Sequence, residues 1–299
     1  MAADSPTALF ETDIESVDTH PQRKLAEGYD ALWPRFLAAF DTATALAAGL
    51  RTDETRLTGR EDYLSAFDWE PTNNEKGKSH IARRIMNTLI CLAEKSFAGD
   101  GARLNIHSET EVEPWFESDG DYRRPTIRDD FRPSAFWAQL EKHFGGDHGK
   151  TLAYQQAAAV IVDELNLLRR TEMRRVGGAV ELEKHIYTEK AISGGGRHVS
   201  YHYESGLQKL GIGLSTFLAW TGREDGAALG RTLLHQLTTH CRYGNGFASR
   251  TRYHAGPFEI IYFYEKLVIR VAIDLAEQLN EFVGLYSEKL REQHAGAGQ

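Results

Sequence analysis

Cysteine is almost missing from this chain: Cys91 and Cys241 are the two present among 299 residues. Neither belongs to a C-x-x-C or similar pair, which excludes a disulfide framework and a cysteine-built zinc or redox centre. Long apolar runs are missing too. No stretch approaches the ~20 residues that cross a bilayer, and the opening MAADSPTALFETDIESVDTH lacks the basic start and apolar segment of a signal peptide. The expectation is a soluble, cytoplasmic protein with no membrane partner. There is no basic excess either. Lys and Arg number 35 against 43 Asp and Glu, giving a net charge of -8. That is not the profile of a non-specific DNA binder, although local basic patches remain open to it. No nucleophile elbow, zincin helix, dinucleotide fingerprint or zinc-finger spacing occurs, which lowers the prior for an enzyme.

What is present is material for a core. The chain is 41% hydrophobic and 26% charged, ordinary values for a globular protein, and long enough for one large domain or two modest ones. The expected fold class is α+β, with a helical N-terminal half followed by two hairpin-plus-helix units that form an antiparallel sheet with helices packed on it. Polar residues 1–19 are expected to be a disordered lead-in, 20–175 a mainly helical region with one strand, 176–292 the hairpin–helix region and 293–299 a flexible tail.

In the first half, Leu25, Tyr29, Leu32, Phe36, Phe40, Ala43, Ala47 and Leu50 recur at threes and fours, predicting an amphipathic helix kinked or broken at Pro34. A second helix is predicted from Asn74 to Phe97, with Ile81, Ile85, Leu89 and Leu92 on one face and Cys91 as a small core residue. Residues 103–113 alternate, with Leu104, Ile106 and Val112 opposite His107, Glu109, Glu111 and Glu113, and read as a strand with one wet face. Ser134 caps a predicted helix carrying Phe136, Trp137, Leu140 and Phe144, and another runs from about Lys150 to Arg170. Between them, GGDHGKT resembles a P-loop at Gly149, Lys150 and Thr151. Phe144 stands where the first glycine belongs and a helix precedes it, so a nucleotide is not expected.

In the second half, Val180, Leu182 and Ile186 alternate with Glu181, Glu183, His185 and Tyr187. Val199, Tyr201 and Tyr203 alternate with His198, Ser200 and His202, and Gly194 to Gly196 are read as the turn joining the two strands. If these pair, Glu181, Glu183, His185, His198 and His202 share one face, able to bind a divalent metal or run general acid–base chemistry. Ser205 with Gln208 is read as a capping box opening the helix that follows. The final unit repeats the plan, with strands Phe258–Tyr264 and Leu267–Val271 set centrally in a sheet, and a helix capped by Asp274. Two basic stretches suit nucleic acid. One holds Arg169, Arg170, Arg174 and Arg175. The other is a loop in which Arg242, Arg250 and Arg252 interleave with Tyr243, Phe247 and Tyr253, the aromatic–basic mixture that stacks on single strands.

The last forty residues add a resemblance. FEIIYFYEKLVIRVAIDLAEQLNEFV, with Asp274, Leu275, Leu279 and Asn280 in a D-L-x-x-x-L-N pattern, resembles the end of an uncharacterised domain family found in phage and plasmid proteins. Tyr264, Glu265 and Lys266 stand where that family carries an Asn–Gly turn. The resemblance implies a mobile-element origin and a nucleic-acid context, and no activity. Three readings result. The first is an accessory or interaction protein with a nucleic-acid or protein partner. The second is a metal-dependent hydrolase or nuclease using the Glu/His face. The third is a structural protein that self-associates through an exposed sheet edge.

Overall fold

A computed structural model describes residues 20–58, 74–99, 101–117, 125–169, 173–191, 196–241 and 246–287. They fall into two compact units: the described residues of Met1–Ala93 with His107–Gly146, and those of Glu94–Ile106 with Asp147–Gln299. The lead-in and the C-terminal tail lie outside the described residues.

The first unit is helical, as the 3.6-residue pattern requires. Helix α1 (His20–Thr58) runs through Pro34 without a break. α2 spans Asn74–Phe97, matching its predicted bounds. The sequence stripe on α1 is not the face it buries: Leu25, Leu32 and Leu50 are exposed, while Ala26 and Trp33, one residue further round, are buried. The reason is aromatic volume. Trp33 stacks on Phe36 at 5.5 Å and meets Phe131 edge-on at 5.5 Å, and Phe131 in turn meets Trp115 at 5.6 Å. α2 buries Ala82, Met86, Leu89, Ile90 and Ala93 and leaves Cys91 exposed, so Cys91 is not the core residue expected.

The strand expected at 103–113 does not form. Residues 104–106 are irregular, followed by a short helix α3 (Ser108–Val112) and a 3-10 turn (Glu113–Trp115). Side chains replace the missing strand partner: Gln156 bonds both the N–H and the C=O of Asn105, and Glu94 accepts from the N–H of Ile106. Glu109 and Glu111 suit the first turn of a helix. Buried Glu111 accepts from the Gln139 amide at 2.7 Å and faces His143 Nδ1 at 2.9 Å. A two-residue ladder pairs β1 (Phe116–Glu117) with β2 (Thr126–Ile127).

Helix α4 (Pro133–Phe144) starts one residue before Ser134. Ser134 therefore donates an orphan helix-start N–H, and Asp30 of α1 accepts it at 3.0 Å, capping one helix from another. Arg23 of α1 meets Glu141 of α4 at 2.7 Å.

The second unit holds α5 (Asp147–Glu164) and a five-stranded antiparallel sheet of β3 (Arg174–Val176), β4 (Ala179–His185), β7 (Thr251–Ala255), β8 (Phe258–Tyr262) and β9 (Lys266–Ala272). The spatial order is β3-β4-β9-β8-β7. Gly149 to Thr151 lie near the start of α5, which only Gly145 and Gly146 separate from α4, so no strand precedes the P-loop-like stretch. β8 and β9 sit inside the sheet, as their apolar faces predict. Gly177 and Gly178, both at positive φ (56° and 81°), make the two-residue turn of the β3–β4 hairpin. The composition change near 176 is therefore the start of the sheet.

The first predicted hairpin is not built as expected. β4 pairs with β3 and β9, whereas β5 (Thr188–Lys190) and β6 (Arg197–Val199) form a separate two-stranded ladder. Helix α6 (Tyr201–Trp220) begins with Ser200 at its N-cap position, ahead of Ser205, and absorbs Tyr201, His202 and Tyr203. The 3.6-residue stripe of Leu207, Leu210, Leu214 and Phe217 outweighs the short alternation before it. α7 (Gly226–Thr238) follows, and α8 (Ile273–Tyr286) closes the unit, with Asp274 in its first turn instead of at the cap.

α5, α6, α7 and α8 cover one face of the sheet. Val180, Leu182, Phe258, Ile260, Tyr262, Leu267, Ile269 and Val271 meet Leu214, Phe217, Leu237, Leu275, Leu279 and Phe282 in one core. Cys241 is buried in it, and burial first, then the charge of Glu204, pushes its thiol up to about 12. A thiol held protonated in a core in this way is a poor nucleophile. Among the described residues no helix is long and apolar enough to cross a membrane.

Candidate interaction surface

Side chains alternate across a strand, so the residues between the core positions line the opposite face of the sheet. Register decides which of them meet. Arg174 lies opposite Glu181, Glu181 opposite Arg270, and Arg270 opposite Glu259. Arg252 reaches Glu259 diagonally from β7, where His254 is its direct partner. The result is a row of alternating charge across all five strands. Arg270 donates through Nε and a terminal nitrogen to Glu181 at 2.9 and 2.8 Å, and through the other to Glu259 at 2.9 Å. Arg252 meets Glu259 at 2.9 Å, and Arg174 approaches Glu181 at 3.6 Å. A second pair, Lys266 and Glu183 at 2.9 Å, lies one row along. Beneath the long charged side chains, Ile261 and Val268 are buried on this same face.

The middle of the row is set firmly. Glu181 is 6% exposed. Burial pushes the Glu259 carboxyl up, but the hydrogen bond from Arg270 and the charges of Arg252 and Arg270 outweigh it and hold the group below the usual carboxylate range. The hydrogen bonds to Glu181 and then Glu259 hold the Arg270 guanidinium charged more firmly than usual. The outer ends are looser, because Arg174 and Arg252 are both exposed.

At one end of the face the two hairpin turns flank the exit of β9, leaving a shallow cavity of about 370 Å³. Val176, Ala179, Pro257 and Ala272 supply apolar lining, and His254 and Arg270 supply polar lining.

The sequence-predicted residues are distributed as follows. Glu181, Glu183 and His185 share the open face of β4. His198 is buried on β6, 3.8 Å from Glu189, and His202 is exposed in the first turn of α6, so the five are not brought together. The cause is the pairing of β4 with β9 in place of residues 198–203. Among the described residues no group of three or more His, Cys, Asp or Glu is placed to hold a metal.

Of the first basic stretch, Arg170 and the side chain of Arg169 lie outside the described residues. Arg174 and Arg175 point to opposite faces of edge strand β3. Of the second, Arg242 and Tyr243 lie outside the described residues, and 251–255 form strand β7 instead of a loop. Arg252 is ion-paired on the open face, whereas Tyr253 turns inward, its hydroxyl 2.8 Å from His240 Nε2. Arg250 is exposed at φ 72°. Sequence reasoning missed Arg270 and Glu259, the centre of the row. The available signal was a charged residue set inside each otherwise apolar run, Glu259 in FEIIY and Arg270 in KLVIRVA.

Comparison of the chain with protein-family profiles, with curated proteins and with solved structures finds no match.

Proposed function

We propose that the chain is an accessory interaction protein whose protein partner docks on the open face of the five-stranded sheet. The observation that carries this reading is the row from Arg174 to Arg252: a pre-ordered charged layer five strands wide, over an apolar base, with a concave end. Its fixed centre offers shape, and its loose arginine ends offer donors that suit carboxylates on a partner. Glu181, Glu183 and Glu259 interleave with the cations and would repel a phosphate backbone, so a protein surface of mixed charge fits better than nucleic acid. A metal-dependent hydrolase would need the Glu and His residues gathered, and they lie on three separate elements.

Lysine-directed cross-linking in lysate with mass-spectrometric mapping tests the proposal. Links to other proteins are expected at Lys266, on the open face. Links confined to lysines of the helical side, such as Lys209 on α6, would sink it. A titration with single- and double-stranded nucleic acid belongs beside it: binding no tighter than ~10⁻⁴ M at physiological salt is expected. Tight binding that weakens steeply with salt would restore the nucleic-acid reading.

A further inference from the structure

The exposed leucines of α1 follow a rule. Residues 25, 29, 32, 36, 39, 43, 46, 50, 53 and 57 are spaced alternately by four and three, the heptad seam of a coiled coil, and read Leu, Tyr, Leu, Phe, Ala, Ala, Leu, Leu, Asp, Leu. Nine of the ten are apolar. Every large hydrophobic that α1 leaves exposed lies on this seam: Leu25, Leu32, Leu46, Leu50 and Leu57, with Leu46 at 65% and Leu57 at 86% exposure. Among the described residues the helix buries its neighbouring face, centred on Ala26 and Trp33; Tyr29, Phe36 and Ala43 lie half-buried at the margin of that face, Phe36 against Trp33, and the five leucines of the seam lie outside it. A strict seven-residue repeat also drifts by ~20° per heptad on a straight helix and is kept on one line only by supercoiling with a partner of the same period. Gly28 and Gly49 flank the seam with nothing within 4 Å of where a Cβ would stand. Each costs about 0.5–1 kcal/mol in a helix interior, and none of the described residues crowds either position.

We infer that α1 is the dimerisation helix of this protein and that its seam takes the α1 of a second copy, antiparallel. Self-complementarity selects the occupant. With the two-fold axis near residue 41, Leu25 faces Leu57 of the second copy, Leu32 faces Leu50, Phe36 faces Leu46 and Ala39 faces Ala43. The one charged seam position, Asp53, then faces Tyr29, whose hydroxyl can donate to it. Each seam position is used once, and each layer joins an a to a d position. A parallel pair would set Asp53 against Asp53. A seam ~50 Å long and ~10 Å wide on each copy buries on the order of 1,000 Å² in all, the lower bound of a specific interface, so a dimer of micromolar affinity is the scale to test.

Sedimentation equilibrium of the full chain between about 1 and 100 μM tests this. The expected mass is twice 33.6 kDa at the upper end, and the monomer mass for Leu46→Glu with Leu50→Glu, with unchanged circular dichroism because both sites are exposed. A wild-type chain that stays monomeric throughout, as it would if another segment of the same chain covered the seam, overturns the inference. So does a double variant that still dimerises. Orientation is read separately by oxidation of cysteine variants in a Cys91→Ser background. Leu32→Cys with Leu50→Cys is expected to give a covalent dimer. Leu46→Cys alone is expected to give none, because its two copies would lie ~15 Å apart along the axis, beyond disulfide reach. Efficient linking by Leu46→Cys alone would overturn the antiparallel pairing.

Discussion

Arg270→Ala is expected to lower the unfolding free energy by about 2–3 kcal/mol, measured by urea denaturation. Arg270 supplies three hydrogen bonds to two carboxylates from the central strand of the sheet. Without it, Glu181 keeps only Arg174 at 3.6 Å while remaining buried, and a buried charge stripped of its partner is costly. The solvent access of Arg270 places the effect below the 3–5 kcal/mol of a fully buried pair. The pH dependence should change with it. The Glu259 pKa is depressed in the folded chain, so its contribution is present above the unfolded value of about 4.3 and is lost as pH falls through the lower folded value. Wild-type protein should therefore lose stability on acidification below about pH 4, and Arg270→Ala should lose less over that interval. A loss below about 0.5 kcal/mol at neutral pH would show that the row is only a solvated surface.

Lys184→Met should cost about 2–4 kcal/mol, because it strips a mostly enclosed carboxylate of its partner. Lys184 is the one β4 residue on the core face that is charged. It meets Glu164 of α5 at 2.5 Å and also reaches the Glu164 carbonyl at 3.2 Å, with side chains 11% and 17% exposed. α6 gives the carboxylate room with a glycine: a Cβ on Gly206 would stand 2.8 Å from Glu164 Oε2. The lone substitution leaves that carboxylate enclosed and uncompensated. Adding Glu164→Gln should recover most of the loss, since removing both charges also removes the desolvation cost. If the double variant is as unstable as Lys184→Met, the pair is not what the single substitution disturbs.

Local pattern carried much of the fold. The bounds of α2, the apolar faces of β8 and β9 and the core stripe of α8 are each visible within twenty residues of sequence, because burial imposes its period directly. The face α2 buries (Ala82, Met86, Leu89, Ile90 and Ala93), by contrast, shares only Leu89 with the expected stripe of Ile81, Ile85, Leu89 and Leu92. Pairing between distant segments was not visible. β4 finds β9 with Glu181 opposite Arg270, 89 residues away, while a nearer stretch with the same alternation, 198–203, folds into β6 and the start of α6. Alternation marks a strand but does not choose its partner. The adjacent glycines Gly177 and Gly178 were the one short-range clue to the β3–β4 hairpin.

α1 shows a different limit. Its threes and fours were legible, but two apolar stripes one residue apart overlap on that helix, and only the packing of Trp33 shows which is inside. The open face was half legible. Glu181 and Glu183 could be placed on the wet side of a strand, but Arg270 and Lys266, which hold them, come from β9, 89 and 83 residues further along the chain.

The most direct measurement is the affinity of a cross-linked partner for wild-type chain and for Arg174→Glu with Arg252→Glu, which reverses the two exposed ends of the row and leaves Arg270 in place. The prediction is at least a tenfold weaker complex with an unchanged melting temperature. Equal affinity for the two proteins would contradict it.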